Sequence, residues 1–226
     1  SKDHLIAPQG PPVQAIQEIQ PIKKITTPKG EIVFDMGQNM VGWVRLKVNG
    51  KKGDTVTLKF AEVLDKDGNF YTDNLRAAKV TDTYVLKGDG VEIYEPSFTF
   101  HGFRFVELID FPGTPKLDDI TGVVIHSAME PTGTFECSEP LINQLQHNIK
   151  WGQKGNFLDV PTDCPQRDER MGWTGDAQVF SPTAAFNFDV AGFYTKWMKD
   201  VAADQLPDGK VPHVIPDVLK QNGGST

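Results

Sequence analysis

Between Asp159 and Gln178 the sequence packs together most of its groups capable of chemistry: Asp159, Asp163, Asp168, Glu169 and Asp176, the guanidinium groups of Arg167 and Arg170, and Trp173. Pro161, Pro165, Gly172 and Gly175 interrupt the stretch, and neither a helical nor a strand period runs through it. Dense charge without periodicity reads as a loop that carries function. Asp163, Glu169 and Asp176 are spaced six and seven residues apart, so one loop can gather them in a small volume. Like charges held close raise one another's pKa and keep a carboxyl protonated, ready to act as an acid. Arginine forks bind carboxylates or hydroxyl-rich ligands, and an indole offers a flat apolar face on which a sugar ring can stack. Such a set suits glycoside hydrolysis, which needs one carboxyl to protonate the leaving oxygen and a second to handle water or the anomeric carbon. A structural lattice of ion pairs would use the same residue types, and on spacing alone both readings stand. A Cys164 nucleophile would need a histidine base that no local pattern supplies, and the acid spacing is not that of a calcium loop.

The elements that must position this loop differ on its two sides. From Val13 to about Ile125, short alternating runs follow one another: Ile32–Met36, Val41–Val48, Val56–Phe60, Val80–Leu86, Phe103–Ile109 and Ile120–Ile125. Turn signals such as Pro28-Lys29-Gly30, Asn49-Gly50, Asp67-Gly68-Asn69 and Pro112-Gly113 separate them. This rhythm predicts an antiparallel, jelly-roll-like β-sandwich over 13–129, after a proline-marked lead-in or linker over 1–12. Tyr94, Phe98, Phe100, Phe103 and Phe105 are expected in its core. After Glu130 the period becomes helical. Ser138-Glu139-Pro140 resembles a helix start, with Ser138 as its N-cap and an early proline, and Leu141, Ile142, Leu145 and Ile149 on one face. A second helical run is expected from Phe180. A third is marked by Val190, Phe193, Tyr194, Trp197, Met198 and Val201, an amphipathic stripe of packing residues. Two or three helices bury their apolar faces poorly without further neighbours, so 130–226 reads as the opening of a larger, truncated helical domain.

Composition sets outer limits. The 226 residues are 38% hydrophobic and 23% charged, enough for one large or two small domains. A net charge of -7 argues against nucleic acid as a partner. No apolar run reaches the roughly 20 residues needed to cross a bilayer, and no signal peptide is visible, so the compartment stays unknown. Cys137 and Cys164 form no disulfide framework; two buried or free thiols are expected, with a disulfide between them as the alternative, since both flank the same predicted helix. The five histidines lack metal-ligand spacing, so neither metal nor cofactor is expected. A homo-oligomer stays compatible with these numbers.

The run Asp163-Cys164-Pro165-Gln166-Arg167-Asp168-Glu169-Arg170-Met171-Gly172-Trp173-Thr174-Gly175-Asp176 resembles the active-site signature of the bacterial α-L-rhamnosidases. The resemblance extends to Phe34-Asp35-Met36-Gly37-Gln38-Asn39 with Gly42-Trp43, to Asn74-Leu75-Arg76, and to Phe100-His101-Gly102-Phe103-Arg104. It covers essentially the whole chain. It implies a β-sandwich followed by the first helices of an all-α (α/α)6 barrel, and inverting hydrolysis of rhamnose-containing glycosides. It further implies that Glu169 is the general acid, and that Asp163, Arg167, Trp173 and Asp176 bind the rhamnose ring. The general base would come from a glutamate later in the barrel, outside this chain, so the chain by itself is expected to be inactive. The alternative from a different class is a carbohydrate-binding or scaffold β-sandwich module without catalysis.

Overall fold

The computed structural model describes Leu5 and residues 7–220; part of the lead-in therefore lies outside the described residues, as does the end of the helical region. The chain divides into two compact units. One, the sheet unit, comprises Ala15–Ile125 and the short segment Pro165–Asp168; the other, the helical unit, comprises residues 1–14, 126–164 and 169–226.

Ten strands account for the first half: β1 (Val13–Ile19), β2 (Lys23–Thr26), β3 (Ile32–Asn49), β4 (Thr55–Ala61), β5 (Val63–Leu64), β6 (Phe70–Tyr71), β7 (Thr81–Val85), β8 (Val91–Tyr94), β9 (His101–Ile109) and β10 (Ile120–Ser127). Eight of them form one curled antiparallel sheet, in the order β1-β10-β3-β9-β4-β7, with β2 and β8 also bonded to β3. Strands β5 and β6 pair as a separate hairpin. The expected β-sandwich is thus present as a single continuously bonded sheet.

Strand β3 is its spine. The two alternating runs at Ile32–Met36 and Val41–Val48 are one 18-residue strand, because the chain bulges between Asp35 and Met40 without leaving the ladder. Gly37, at φ +75°, supplies the left-handed turn of this bulge, which an L side chain adopts poorly. One edge of β3 pairs with β2 and β10, the other with β9 and β8. Val33, Phe34, Met36, Met40, Val44, Leu46 and Val48 are consequently all buried, and Phe60 and Phe103 meet at a 4.9 Å ring separation beneath the sheet. Of the aromatics expected in the core, Phe103 and Phe105 are buried and Tyr94 and Phe100 partly so. Phe98 is fully exposed at φ +60°. It stands in the irregular link between β8 and β9, where no ladder turns its ring inward.

The motifs ahead of the loop prove to be joints of this sheet. Arg104 grips Asp35 with both arms, Nε donating to Oδ1 at 2.8 Å and a terminal nitrogen to Oδ2 at 2.9 Å, while the Gly37 N–H donates to the same carboxylate at 2.7 Å. Burial pushes the Asp35 pKa up, but these charge-assisted bonds outweigh it and hold it below the usual value. His101 stacks on Phe60 at 4.1 Å and bonds Asp82 through Nε2 at 3.0 Å. Gly102 meets the segment 165–168 so closely that a Cβ would stand 2.7 Å from Gln166 Cβ and 2.9 Å from its Cα.

The helical unit contains α1 (Pro140–Asn156), a hairpin of β11 (Phe157–Leu158) and β12 (Val160–Pro161), α2 (Thr174–Asn187) and α3 (Ala191–Asp204). Proline starts α1 as expected, but the cap is Glu139, whose carboxylate accepts from the Leu141 N–H at 3.1 Å. Met129, Phe157, Ala184, Phe188, Val190 and Phe193 form its main core. Phe193 and Trp197 of the predicted stripe are buried, whereas Met198 is open. Leu141, Ile142 and Leu145 remain exposed on α1, as do Val179 and Phe186 on α2. Residues 9–12 run along α3, with Gly10 against Lys196 and the Pro12 carbonyl accepting from Ala128. No helix among the described residues is long and apolar enough to cross a membrane.

One position tests the spine directly. A Cβ on Gly42 of β3 would lie 1.8 Å from the Val123 carbonyl oxygen of β10, a backbone atom that cannot step aside. Gly42→Ala is expected to cost about 2–3 kcal/mol, read as a lowered urea midpoint by circular dichroism in the strand region. A loss below about 0.5 kcal/mol would show that the β3–β10 ladder yields more easily than this contact requires.

Candidate active site

The carboxylates converge because the backbone turns sharply before and after them. β11 and β12 pair as Phe157 with Pro161 and Leu158 with Val160, leaving Asp159 alone at the apex in the left-handed region at φ +64°. Beyond β12 the hairpin closes on itself, the Thr162 N–H and hydroxyl both donating to the Asn156 carbonyl at 2.7 and 3.1 Å. Asp163 then takes φ +57° and forms an isolated antiparallel bridge with Arg170. This bridge returns the chain and sets Glu169 beside Asp163. Two aspartates at positive φ in such a short span are uncommon and mark a locally constrained backbone.

The chain leaves the loop through a second seam. Trp173 bridges Val214, the Ile215 N–H donates to the Gly172 carbonyl at 2.8 Å, and the Thr174 N–H donates to His213 O at 3.0 Å. Gly172 is required here, since a Cβ would stand 2.3 Å from the Ile215 carbonyl oxygen. Trp173 caps α2, which begins at Thr174 rather than at Phe180, so Asp176 lies in the first turn. A carboxylate there is favoured by the helix dipole and by exposed N–H groups.

The result is a compact group of acids. One ligand atom from each of Asp163, Cys164 and Glu169 lies within 4.8 Å of the others. The Cys164 thiol donates to Asp163 Oδ2 at 3.1 Å. Partial burial raises the Asp176 pKa above the ordinary value; the charge of Asp163, a hydrogen bond with its carboxyl, and the charge of Glu169 raise it further, while the Asp176 backbone N–H opposes them. Histidine spacing gave no hint of the Asp163–Cys164–Glu169 trio, which has the donor types of a metal-ligand set. Neither Cys137 nor Cys164 is in a disulfide. A cleft of about 660 Å³ adjoins the acids, walled by α1 through Gln153 and Asn156, by Phe157, and by α2 through Asp176 and Phe180.

Of the residues singled out in the sequence, Asp163, Glu169 and Asp176 are therefore brought together, and Trp173 stands at the head of the helix that carries Asp176. The Trp173 indole N–H is buried with no acceptor among the described residues. Arg167 belongs to Pro165–Asp168, the segment that groups with the sheet unit.

Comparison with known proteins bears on this arrangement. Residues 130–226 match the bacterial α-L-rhamnosidase six-hairpin glycosidase domain, and residues 25–126 match the bacterial α-L-rhamnosidase concanavalin-like domain. The chain belongs to the bacterial α-L-rhamnosidase family. An α-L-rhamnosidase from Streptomyces avermitilis is 53% identical over 223 residues, covering 98% of this chain and 22% of that protein. Another from Formosa agariphila is 49% identical, covering 94% of this chain and 25% of that protein. The crystal structure of the Streptomyces avermitilis α-L-rhamnosidase complexed with L-rhamnose matches with a TM-score of 0.93 at 51% identity, over 97% of this chain and 21% of that one. The chain thus spans about a quarter or less of the length of these rhamnosidases.

The crowding of carboxylates makes a pH-dependent prediction. A carboxyl whose folded pKa is raised binds its proton more tightly in the native state, so the fold loses stability as pH rises from the unfolded value, about 3.9, to the folded one. At pH 7 the full penalty applies, reduced because Asp176 is exposed to water. Asp176→Asn is therefore expected to raise the thermal midpoint at pH 7 and leave it unchanged at about pH 3, below the unfolded value. A variant less stable than wild type at pH 7 would refute the repulsion.

Proposed function

We propose that the protein carrying this chain hydrolyses terminal α-L-rhamnosyl residues of rhamnosides with inversion, and that Glu169 is its general acid. The observation that carries this reading is the gathering of Glu169, Asp163 and Asp176 at the head of α2 beside an open cleft. Like charges at close range favour retention of a proton by one member, which is the state a general acid needs before it protonates a glycosidic oxygen. Asp163 and Asp176 accept hydrogen bonds from ring hydroxyls, and Arg167 donates to them. Trp173 supplies a ring face and an N–H with no acceptor among the described residues. The names of the relatives and the rhamnose complex of the Streptomyces protein point to the same sugar.

Inversion requires a second carboxylate to activate water on the opposite face of the sugar. No residue of this chain is assigned to that role, and on this reading the base comes from a part of the parent protein outside residues 1–226. Glu169→Gln in the full-length protein is expected to lower kcat on an aryl rhamnoside by about 10²–10⁴-fold. Proton NMR of the wild-type reaction should show the β-anomer of rhamnose appearing first. The chain of residues 1–226 alone should show no turnover; robust hydrolysis by it would refute the external base, and first appearance of the α-anomer would refute inversion.

A further inference from the structure

The hairpin that delivers Asp163 is held at its apex by residues remote in sequence. Asp159 is the single residue between β11 and β12, at φ +64°. Its N–H donates to the hydroxyl of Ser127, a fully buried residue, at 2.9 Å. From the other side, Lys196 Nζ on α3 donates to Asp159 Oδ2 at 3.1 Å and to the Asp159 carbonyl at 3.4 Å. The same ammonium stands 3.0 Å from Asp200 Oδ2, one turn further along α3, in an ion contact rather than an aligned hydrogen bond. Asp200 thus fixes the lysine, and the lysine fixes the apex.

The opposite end of this hairpin is the bond pair from Thr162 to the Asn156 carbonyl, and the next residue is Asp163. A short two-residue ladder is a stiff lever only when its apex is held. Free to relax toward negative φ, Asp159 would let the hairpin twist and carry Asp163 with it. The Asp159 side chain is 68% exposed, so its ion pair adds little to global stability, and a purely energetic role does not account for the arrangement.

We propose that Lys196 is a positioning residue for the carboxylate cluster: by holding the left-handed apex at Asp159, it fixes the direction in which Asp163 presents its carboxylate. As a catalytic device this rests on the rhamnosidase reading above; as a mechanical one it does not. Lys196→Met keeps the aliphatic stem along residues 9–12 and removes the charge, while Lys196→Arg keeps donors for both aspartates.

The test compares the two variants with wild type in the full-length protein. Amide hydrogen exchange over 159–163 is read first. Exchange is expected to quicken about tenfold or more in Lys196→Met, with the thermal midpoint nearly unmoved, and to stay near wild type in Lys196→Arg. On an aryl rhamnoside, kcat of Lys196→Met is expected to fall about tenfold or more with KM changing less than about twofold, and Lys196→Arg to recover most of the loss. Unchanged exchange in Lys196→Met overturns the clamp, whatever the activity. Faster exchange with unchanged kcat overturns its link to the site. A wild-type protein inert toward rhamnosides overturns the functional reading instead, and exchange still decides the clamp.

Discussion

Three carboxylates within reach of one another repel, and the loop that carries Asp163, Glu169 and Asp176 exists only because other contacts hold it against that repulsion. Here the opposition is mostly backbone. A hairpin with a left-handed apex feeds Asp163, an isolated bridge to Arg170 turns the chain back, and a seam from Gly172–Thr174 to His213–Ile215 anchors the start of α2. The N-terminus of α2 offers Asp176 an environment favourable to negative charge, and the Cys164 thiol donates to Asp163. None of these contacts is strong alone. Together they give the acids one geometry, and preorganised charge is what electrostatic catalysis asks of a scaffold.

The sheet unit shows a parallel economy of means. Its spine, β3, survives a bulge at Gly37 and pairs on both edges, so a single strand organises four neighbours. Asp35 and Arg104 tie β3 to β9 across this bulge with a bidentate ion pair. Gly102, one residue after a histidine locked between Phe60 and Asp82, leaves room for the backbone of Gln166. The resemblance motifs of the first half are thus packing and bonding solutions, and the carboxylate cluster lies in the second.

Alternation exposed β4 and β7 in the sequence because each has one face more buried than the other, whereas β9 and β10 read as dense apolar runs because both of their faces are largely buried. It divided β3 in two, since a bulge shifts the period while the ladder continues. The early start of α2 was hidden by Gly175 and by Pro182 inside the helix, and its first turn is held by the seam to 213–215 rather than by local propensity. The exposed apolar positions of α1 follow the expected face, with no partner element among the described residues to cover them. In the site, the residue types and the capacity of one loop to gather them were legible, and the backbone turns that do so were not. Positive φ at Asp159 and Asp163 has no signature in single-sequence patterns, and the pairing of Asp159 with Lys196 joins residues 37 apart on different elements.

Those two left-handed aspartates carry a lesson for protein engineering. A designer ranking positions by backbone comfort would nominate Asp159 and Asp163 for glycine, which relieves strain at positive φ. The exchange would trade the anchor of a hairpin and a carboxylate of the acid cluster for conformational ease. Stabilisation schemes that score backbone geometry alone should therefore exempt both positions, whose carboxylates accept hydrogen bonds from Lys196 and from the Cys164 thiol.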